Sequence, residues 1–297
     1  MFEKSLVQPL FDGPIDIVGD VHGYIDELHD LLFRLGYDQS GFHPEGRRLV
    51  FLGDLIDRGP DSPAVVRLVR QLVAAGRAQC VLGNHDFNVL RNKKNPESDW
   101  FFQPAASRAE ASASEVPADG ETKRTILELF GSLPLVLEGG GLRVVHACWD
   151  DRMVELSRAA ASVMHLYEEH RRRIKAELDG SVVDRIDRKL AYQNGNPVKL
   201  LTSGPEERTL EPFEAGGKTR YERRVPWWES YEDEQFCVFG HYSNRRGEPH
   251  GRGRAICVDY GISYRRSKQS DGAFLAAVRF PERTLMFDNG QHEELKL

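Results

Sequence analysis

Six residues combine donor chemistry with a shared kind of position. Asp20, His22, Asp54, Asn84, His146 and His241 each stand at or just after the end of an apolar run. They offer only oxygen and nitrogen donors. Such a set suits hard or borderline divalent cations, Mn²⁺ first, with Fe²⁺, Zn²⁺ and Ni²⁺ as alternatives, and needs no thiolate. Two such cations about 3.5–4 Å apart would let one shared hydroxide attack a phosphorus atom in line. A carboxylate between them would hold the pair, and Asp54 is the candidate. Taken singly, each residue has a plainer reading. An aspartate after a strand is usually a turn residue or a helix cap, and a lone histidine is more often a hydrogen-bonded core or surface residue. His29, His43, His165, His170, His250 and His292 fall in that plainer class.

For the six side chains to meet, the elements that carry them must end at one place. Residues 15–18 read as a short strand that stops at Gly19-Asp20-Val21-His22-Gly23. A helix follows, with Ile25, Leu28, Leu31, Leu32 and Leu35 on one face and Gly36 as its stop. Residues 49–52 form an all-apolar run, the mark of a strand buried on both faces, and end at Gly53-Asp54. Ser62 is expected to cap a second helix, with Pro63 in its first turn and Gly76 closing it. Residues 80–82 read as the third strand, ending at Gly83-Asn84-His85-Asp86. Ligands of open α/β sheets bind beyond the carboxyl ends of the strands, so this alternation would gather the polar clusters on one edge.

Further along, residues 105–120 read as a surface loop and 122–130 as a helix. Residues 135–137 and 142–145 read as strands, the second ending at His146. Residues 153–178 are a polar helical stretch and 182–192 a second helix. The strand pattern resumes at 236–239, which ends at Gly240-His241, and continues through 255–259, 273–280 and 284–287.

The 297 residues carry a formal net charge of −6, which disfavours general binding of nucleic acid through its phosphates. No run of about 18 apolar residues marks a transmembrane helix, and the first ten residues do not read as a secretory signal. A cytoplasmic protein with no membrane partner and no stable nucleic-acid partner is expected. Cys80, Cys148, Cys237 and Cys257 read as buried free thiols.

The pattern as a whole has a family likeness. Gly19-Asp20-Val21-His22-Gly23, Gly53-Asp54-Leu55-Ile56-Asp57-Arg58-Gly59 and Gly83-Asn84-His85-Asp86 resemble the three signature blocks of the phosphoprotein phosphatase branch of the calcineurin-like metallophosphoesterases. Val145-His146 and Gly240-His241 resemble its two later histidine blocks. The resemblance implies an α/β fold of two mixed β-sheets packed as a sandwich and flanked by helices. It implies a single metallophosphoesterase domain over 1–297, with a helical and loop insertion at 150–232 that could cap the site. Asp20 and His22 would bind a first metal ion, Asp54 would bridge, and Asn84, His146 and His241 would bind a second. His85 would be the general acid, Asp57 its orienting partner, and Arg58 the grip on phosphate.

Among bacterial members, 53–62 and 80–86 are similar to PrpE-type phosphatases and to the phosphatase module of polynucleotide kinase-phosphatases. In those relatives an arginine three residues before a tryptophan contacts phosphate, and Arg224 with Trp227 matches that spacing. Asp86 departs from the usual glutamate of eukaryotic members, His146 is followed by Ala147-Cys148-Trp149, and no Gly-x-x-x-x-Gly-Lys-Ser/Thr phosphate loop is present. The expected function is therefore a two-metal phosphatase acting on a phosphorylated substrate, a Ser/Thr phosphoprotein or related phosphomonoester. The alternatives are symmetrical hydrolysis of a dinucleoside tetraphosphate, or a phosphodiesterase for RNA ends or cyclic phosphates. Trp149, Trp227 and Trp228 could stack on a base, or simply pack. A non-catalytic scaffold on the same fold would be expected to lack ligands or the acid, and none is missing from this sequence.

Overall fold

A computed structural model describes residues 5–103, 115–215, 218–244, 251–266 and 272–295. The expected loop at 105–120 and His250 lie largely or wholly outside them. Two mixed six-stranded sheets form the centre. One contains β1 (Val7–Pro9), β5 (Val136–Gly139), β6 (Leu142–Val145), β9 (Phe236–Phe239), β11 (Ala255–Cys257) and β10 (Gly251–Arg252), in that spatial order. The other runs β14 (His292–Glu294), β13 (Thr284–Phe287), β12 (Ala276–Phe280), β2 (Ile15–Val18), β3 (Arg48–Phe51), β4 (Ala78–Cys80).

The alternation along each strand explains the sandwich. Ile15 and Ile17 of β2, Val50 of β3, and Phe236 and Val238 of β9 share one buried cluster between the sheets. Val18, Phe51, Cys237 and Phe239 point the other way and pack under helices. Both faces are covered, so β9 and residues 49–51 of β3 read as apolar runs, and β2 is broken only by Asp16, which is buried and paired with Arg47 at 2.8 Å. The four cysteines are free and buried, as expected.

On the outer face of the second sheet lie α1 (Ile25–Leu35) and α2 (Ser62–Ala74). Leu28, Leu31, Leu32 and Leu35 form the buried stripe of α1, and Gly36 ends it at φ 98°. The cap of α2 is a correction. Asp61, not Ser62, accepts from Ala64 N at 2.8 Å, because the Ser62 hydroxyl accepts from Asp57 N instead. α3 (Asn84–Leu90) begins directly on the third polar block, and α4 (Asp99–Phe102) and α5 (Gly120–Ser132) follow.

The segment after His146 is built differently from the expectation. The polar stretch is two helices, α6 (Asp151–Arg158) and α7 (Val163–Leu178). The break falls where Ser162 turns its hydroxyl to cap the second. α8 (Arg185–Gly195) and α9 (Pro197–Ser203) follow. Next comes an antiparallel hairpin, β7 (Glu206–Ala215) with β8 (Lys218–Arg224), where only a loop was expected. Its strands carry charge rather than an apolar face, and a cross-strand pair, Arg223 to Glu207 at 2.7 Å, stands in for hydrophobic alternation. Trp227 and Trp228 are buried, and Trp227 Nε1 donates to Ala147 O at 2.8 Å. They pack. No helix among the described residues is long and apolar enough to cross a membrane.

Candidate metal centre

Register places the polar blocks. β2, β3 and β4 are parallel, with Val18 beside Phe51 and Phe51 beside Cys80. Asp20, Asp54 and Asn84 therefore leave the sheet at the same edge. In the other sheet β6, β9 and β11 are parallel, with Val144 beside Val238 and Phe239 beside Cys257. His146, His241 and Asp259 leave at its matching edge. Gly240 N donates to His146 O at 2.7 Å, which ties the two histidine blocks together.

The turns at this edge are tight. His22, Asp54, Asp57, Arg58 and His241 all hold left-handed backbone, with φ between 47° and 71°. Each such residue costs on the order of 1–3 kcal/mol, and strain of this kind gathers at functional sites. Two glycines make room for carboxylates. A Cβ on Gly83 would run into the backbone nitrogen and Oδ1 of Asp54, and one on Gly240 into Asp20 Oδ1.

Asp54 is the hub. Its carboxylate lies 3.8 Å from His22 Nε2 and 3.5 Å from His146 Nε2, and it accepts from His85 N at 2.8 Å. Donor atoms of His22, Asp54 and His85 lie within 4.8 Å of one another, and so do those of Asp54, His146 and His241. The two sets share Asp54. Asn84 Oδ1 reaches His146 Nε2 at 3.2 Å. Asp20 belongs to neither set; its carboxylate accepts from His241 N at 3.1 Å.

The imidazoles have the form a cation requires. His22 Nδ1 donates to Ile56 O at 2.9 Å, and His146 Nδ1 donates to Leu52 O at 2.7 Å. A carbonyl only accepts, so each Nδ1 carries the proton and each Nε2 keeps its lone pair toward Asp54. Burial, with Arg58 beside His22 and Arg224 beside His241, holds the His22 and His241 rings well below ordinary histidine basicity. Burial pushes Asp54 up, but His146, His85 and His22 outweigh it and bring its carboxyl down to about 2. Asp20 goes the other way, raised by burial and by the charges of Asp259 and Asp54. A second carboxylate beside Asp54 is under-compensated without further positive charge. The donor set thus fits divalent cations, with Asp54 placed between two groups of nitrogens.

Beside this hub sits a buried histidine–carboxylate pair. His85 Nδ1 is 2.7 Å from Asp57 Oδ2. Burial alone would lower the His85 basicity, but Asp54 and Asp57 raise it above the ordinary value. Asp57 is fixed by Trp100 Nε1 at 2.7 Å and Ser98 Oγ at 3.0 Å. Arg58 leans over the site, its NH1 3.4 Å from His22 Nε2 and its Nε 3.3 Å from Glu97 Oε1. Arg224 donates from NH1 to His241 O at 2.9 Å.

Trp100, Ser98, Glu97 and Lys199 were absent from the sequence reading, and Asp259 entered it only as the end of a strand. Asp259 carried the same signal as the candidate ligands, an aspartate just beyond an apolar strand. It accepts from Ser243 N, Ser243 Oγ and Gly261 N at 2.7, 2.9 and 2.8 Å. The others lie in stretches with no comparable pattern.

Comparison with known proteins agrees with this geometry. The family model for calcineurin-like phosphoesterases matches residues 13–265. A relative from Oceanobacillus iheyensis, named bis(5'-nucleosyl)-tetraphosphatase PrpE [asymmetrical], is 29% identical over 91% of this chain and 89% of its own length. One of the same name from Bacillus thuringiensis is 42% identical over 90% of each. A cold-active protein-tyrosine phosphatase from a psychrophilic Shewanella shares the fold at TM-score 0.55 and 17% identity, over 97% of this chain and 83% of its own.

Proposed function

The chain belongs to the calcineurin-like phosphoesterase family of phosphoric ester hydrolases, and on that premise we propose that its hub holds two divalent metal ions, Mn²⁺ foremost, for hydrolysis of phosphate esters and anhydrides. The observation that carries this reading is the position of Asp54, whose carboxylate lies 3.8 Å from His22 Nε2 on one side and 3.5 Å from His146 Nε2 on the other. His22 and Asp20 would hold one ion, Asn84, His146 and His241 the other, and Asp54 both. Bound cations supply Lewis-acid charge to phosphoryl oxygens and lower the pKa of water.

The chain's own residues do the rest. Arg58 stands where a phosphate would meet a guanidinium, which offers paired charge-assisted bonds to its oxygens. His85, kept protonated by Asp57, gives its proton to the leaving oxygen. Asp57 keeps the ring oriented, with Trp100 and Ser98 behind it. Residues 150–232, α9 and β8 above all, would form the wall that selects the substrate.

Dinucleoside polyphosphates are the substrate class we favour, on the printed names of relatives that match about nine-tenths of the chain. Those names describe asymmetrical cleavage, whereas the dinucleoside alternative weighed from sequence was symmetrical; product analysis separates the two. A Ser/Thr phosphoprotein remains the second reading, because the three signature blocks resemble that branch. The test is Mn²⁺-stimulated hydrolysis of p-nitrophenyl phosphate and diadenosine tetraphosphate. No turnover of either by the metal-loaded protein would defeat the proposal.

A further inference from the structure

Two carboxylates hold the turn that carries His241, and only one of them is a candidate ligand. His241 and Ser243 both have left-handed backbone, at φ 70° and 44°. Residues with a Cβ rarely adopt it, so the turn needs outside support to keep this shape. Asp20 supplies the first support, accepting from His241 N at 3.1 Å. Asp259 supplies the second. Its Oδ2 accepts from Ser243 N at 2.7 Å and from Ser243 Oγ at 2.9 Å, and its Oδ1 accepts from Gly261 N at 2.8 Å.

Asp259 is buried and lies just beyond β11, the parallel neighbour of the strand that runs into His241. Val258 N donates to Phe239 O at 2.7 Å, which keeps the two strand ends together. Asn244 N donates to the Asp259 carbonyl at 2.7 Å, and Asn244 Nδ2 donates to Cys257 O at 3.1 Å. Asp259 therefore binds two successive N–H groups of the turn, one with its side chain and one with its backbone.

The two carboxylates differ in what else they must do. A cation held by Asp20 draws on the same oxygens that accept from His241 N. Asp259 belongs to no group of convergent metal donors among the described residues. Both of its oxygens are engaged by N–H and O–H donors, so it can hold the turn whether or not the centre is loaded.

We infer that Asp259 is a positioning residue: through Ser243 it locks the turn that aims His241 at the hub around Asp54. The inference rests on the two-metal reading, in which His241 is a ligand.

The experiment measures Mn²⁺ binding by calorimetry on chelator-treated protein, for wild type, Asp259→Ala, His241→Ala and the double variant. One of the two binding steps is expected to weaken about 10- to 100-fold in Asp259→Ala, as when the support of a metal ligand is removed. The other step should stay within about twofold. Adding Asp259→Ala to His241→Ala should change nothing further, because the two residues act on one ion. In the metal-free protein, the Ser243 amide should exchange its hydrogen about tenfold faster in Asp259→Ala than in wild type. Ser243→Ala removes only the hydroxyl bond and should weaken the same step about threefold, which keeps the test open if Asp259→Ala does not fold.

Unchanged Mn²⁺ binding in Asp259→Ala, or in Ser243→Ala where that variant stands alone, overturns the inference. So does equal weakening of both steps, or a further loss in the double variant, either of which marks a role in the fold at large. Wild-type protein that binds no Mn²⁺ is a different failure: it defeats the two-metal reading, and the inference falls with it.

Discussion

The Nδ1 atom of His85 lies 2.7 Å from Oδ2 of Asp57, while the other oxygen of that carboxylate accepts from the indole of Trp100. The pair is buried, and it stands beside Asp54. A histidine held in this way can carry a proton among cations, and its orientation is set from behind.

Asp57→Asn is expected to lower kcat about 10- to 100-fold on an alkyl phosphate. The loss on p-nitrophenyl phosphate should be much smaller, because that leaving group needs little protonation. Steady-state kinetics on both esters check this. Equal losses would show that Asp57 serves only to hold the fold.

The same pair makes a pH prediction for the metal-free protein. Burial lowers the His85 basicity, but Asp54 and Asp57 raise it past the ordinary 6.5. A raised folded-state value means that the pair stabilises fully below the unfolded value. That contribution is then lost as pH rises through the folded one. NMR titration of the ring should find a value above 6.5, and Asp57→Asn should lower it. A wild-type value below that mark contradicts the assignment.

Glu97 competes for Arg58. Its carboxylate is half-exposed and 3.3 Å from the guanidinium, where an incoming phosphate would bind. Glu97→Gln is expected to lower KM about threefold or more with kcat nearly unchanged. A higher KM would mean that Glu97 positions Arg58 rather than occupying it.

Gly83→Ala and Gly240→Ala place a methyl group against the carboxylates of Asp54 and Asp20. Each should weaken Mn²⁺ affinity about 10- to 100-fold, as disturbed supports of metal ligands do. Equilibrium dialysis measures it, with circular dichroism to show that the fold persists.

The sequence made the hub legible because each block ends an apolar strand, and parallel register carries Asp20, Asp54 and Asn84 to one edge. The support around Asp57 was hidden for a physical reason. Ser98 and Trp100 lie in a short helical turn whose role comes from packing, not from periodicity. The β7–β8 hairpin was hidden because charged residues fill more than half of its positions and no period-2 apolar face marks the strands. The cap of α2 was misread because Ser62 and Asp61 are both good caps, and only the Asp57 N–H decides between them.

The most direct test is the metal content of purified chain after saturation with Mn²⁺ and removal of free ion, for wild type beside Asp54→Asn. Sharing of Asp54 by two donor sets predicts about two ions per wild-type chain and a marked loss in the variant. Equal metal content in the two proteins, or none in either, would contradict it.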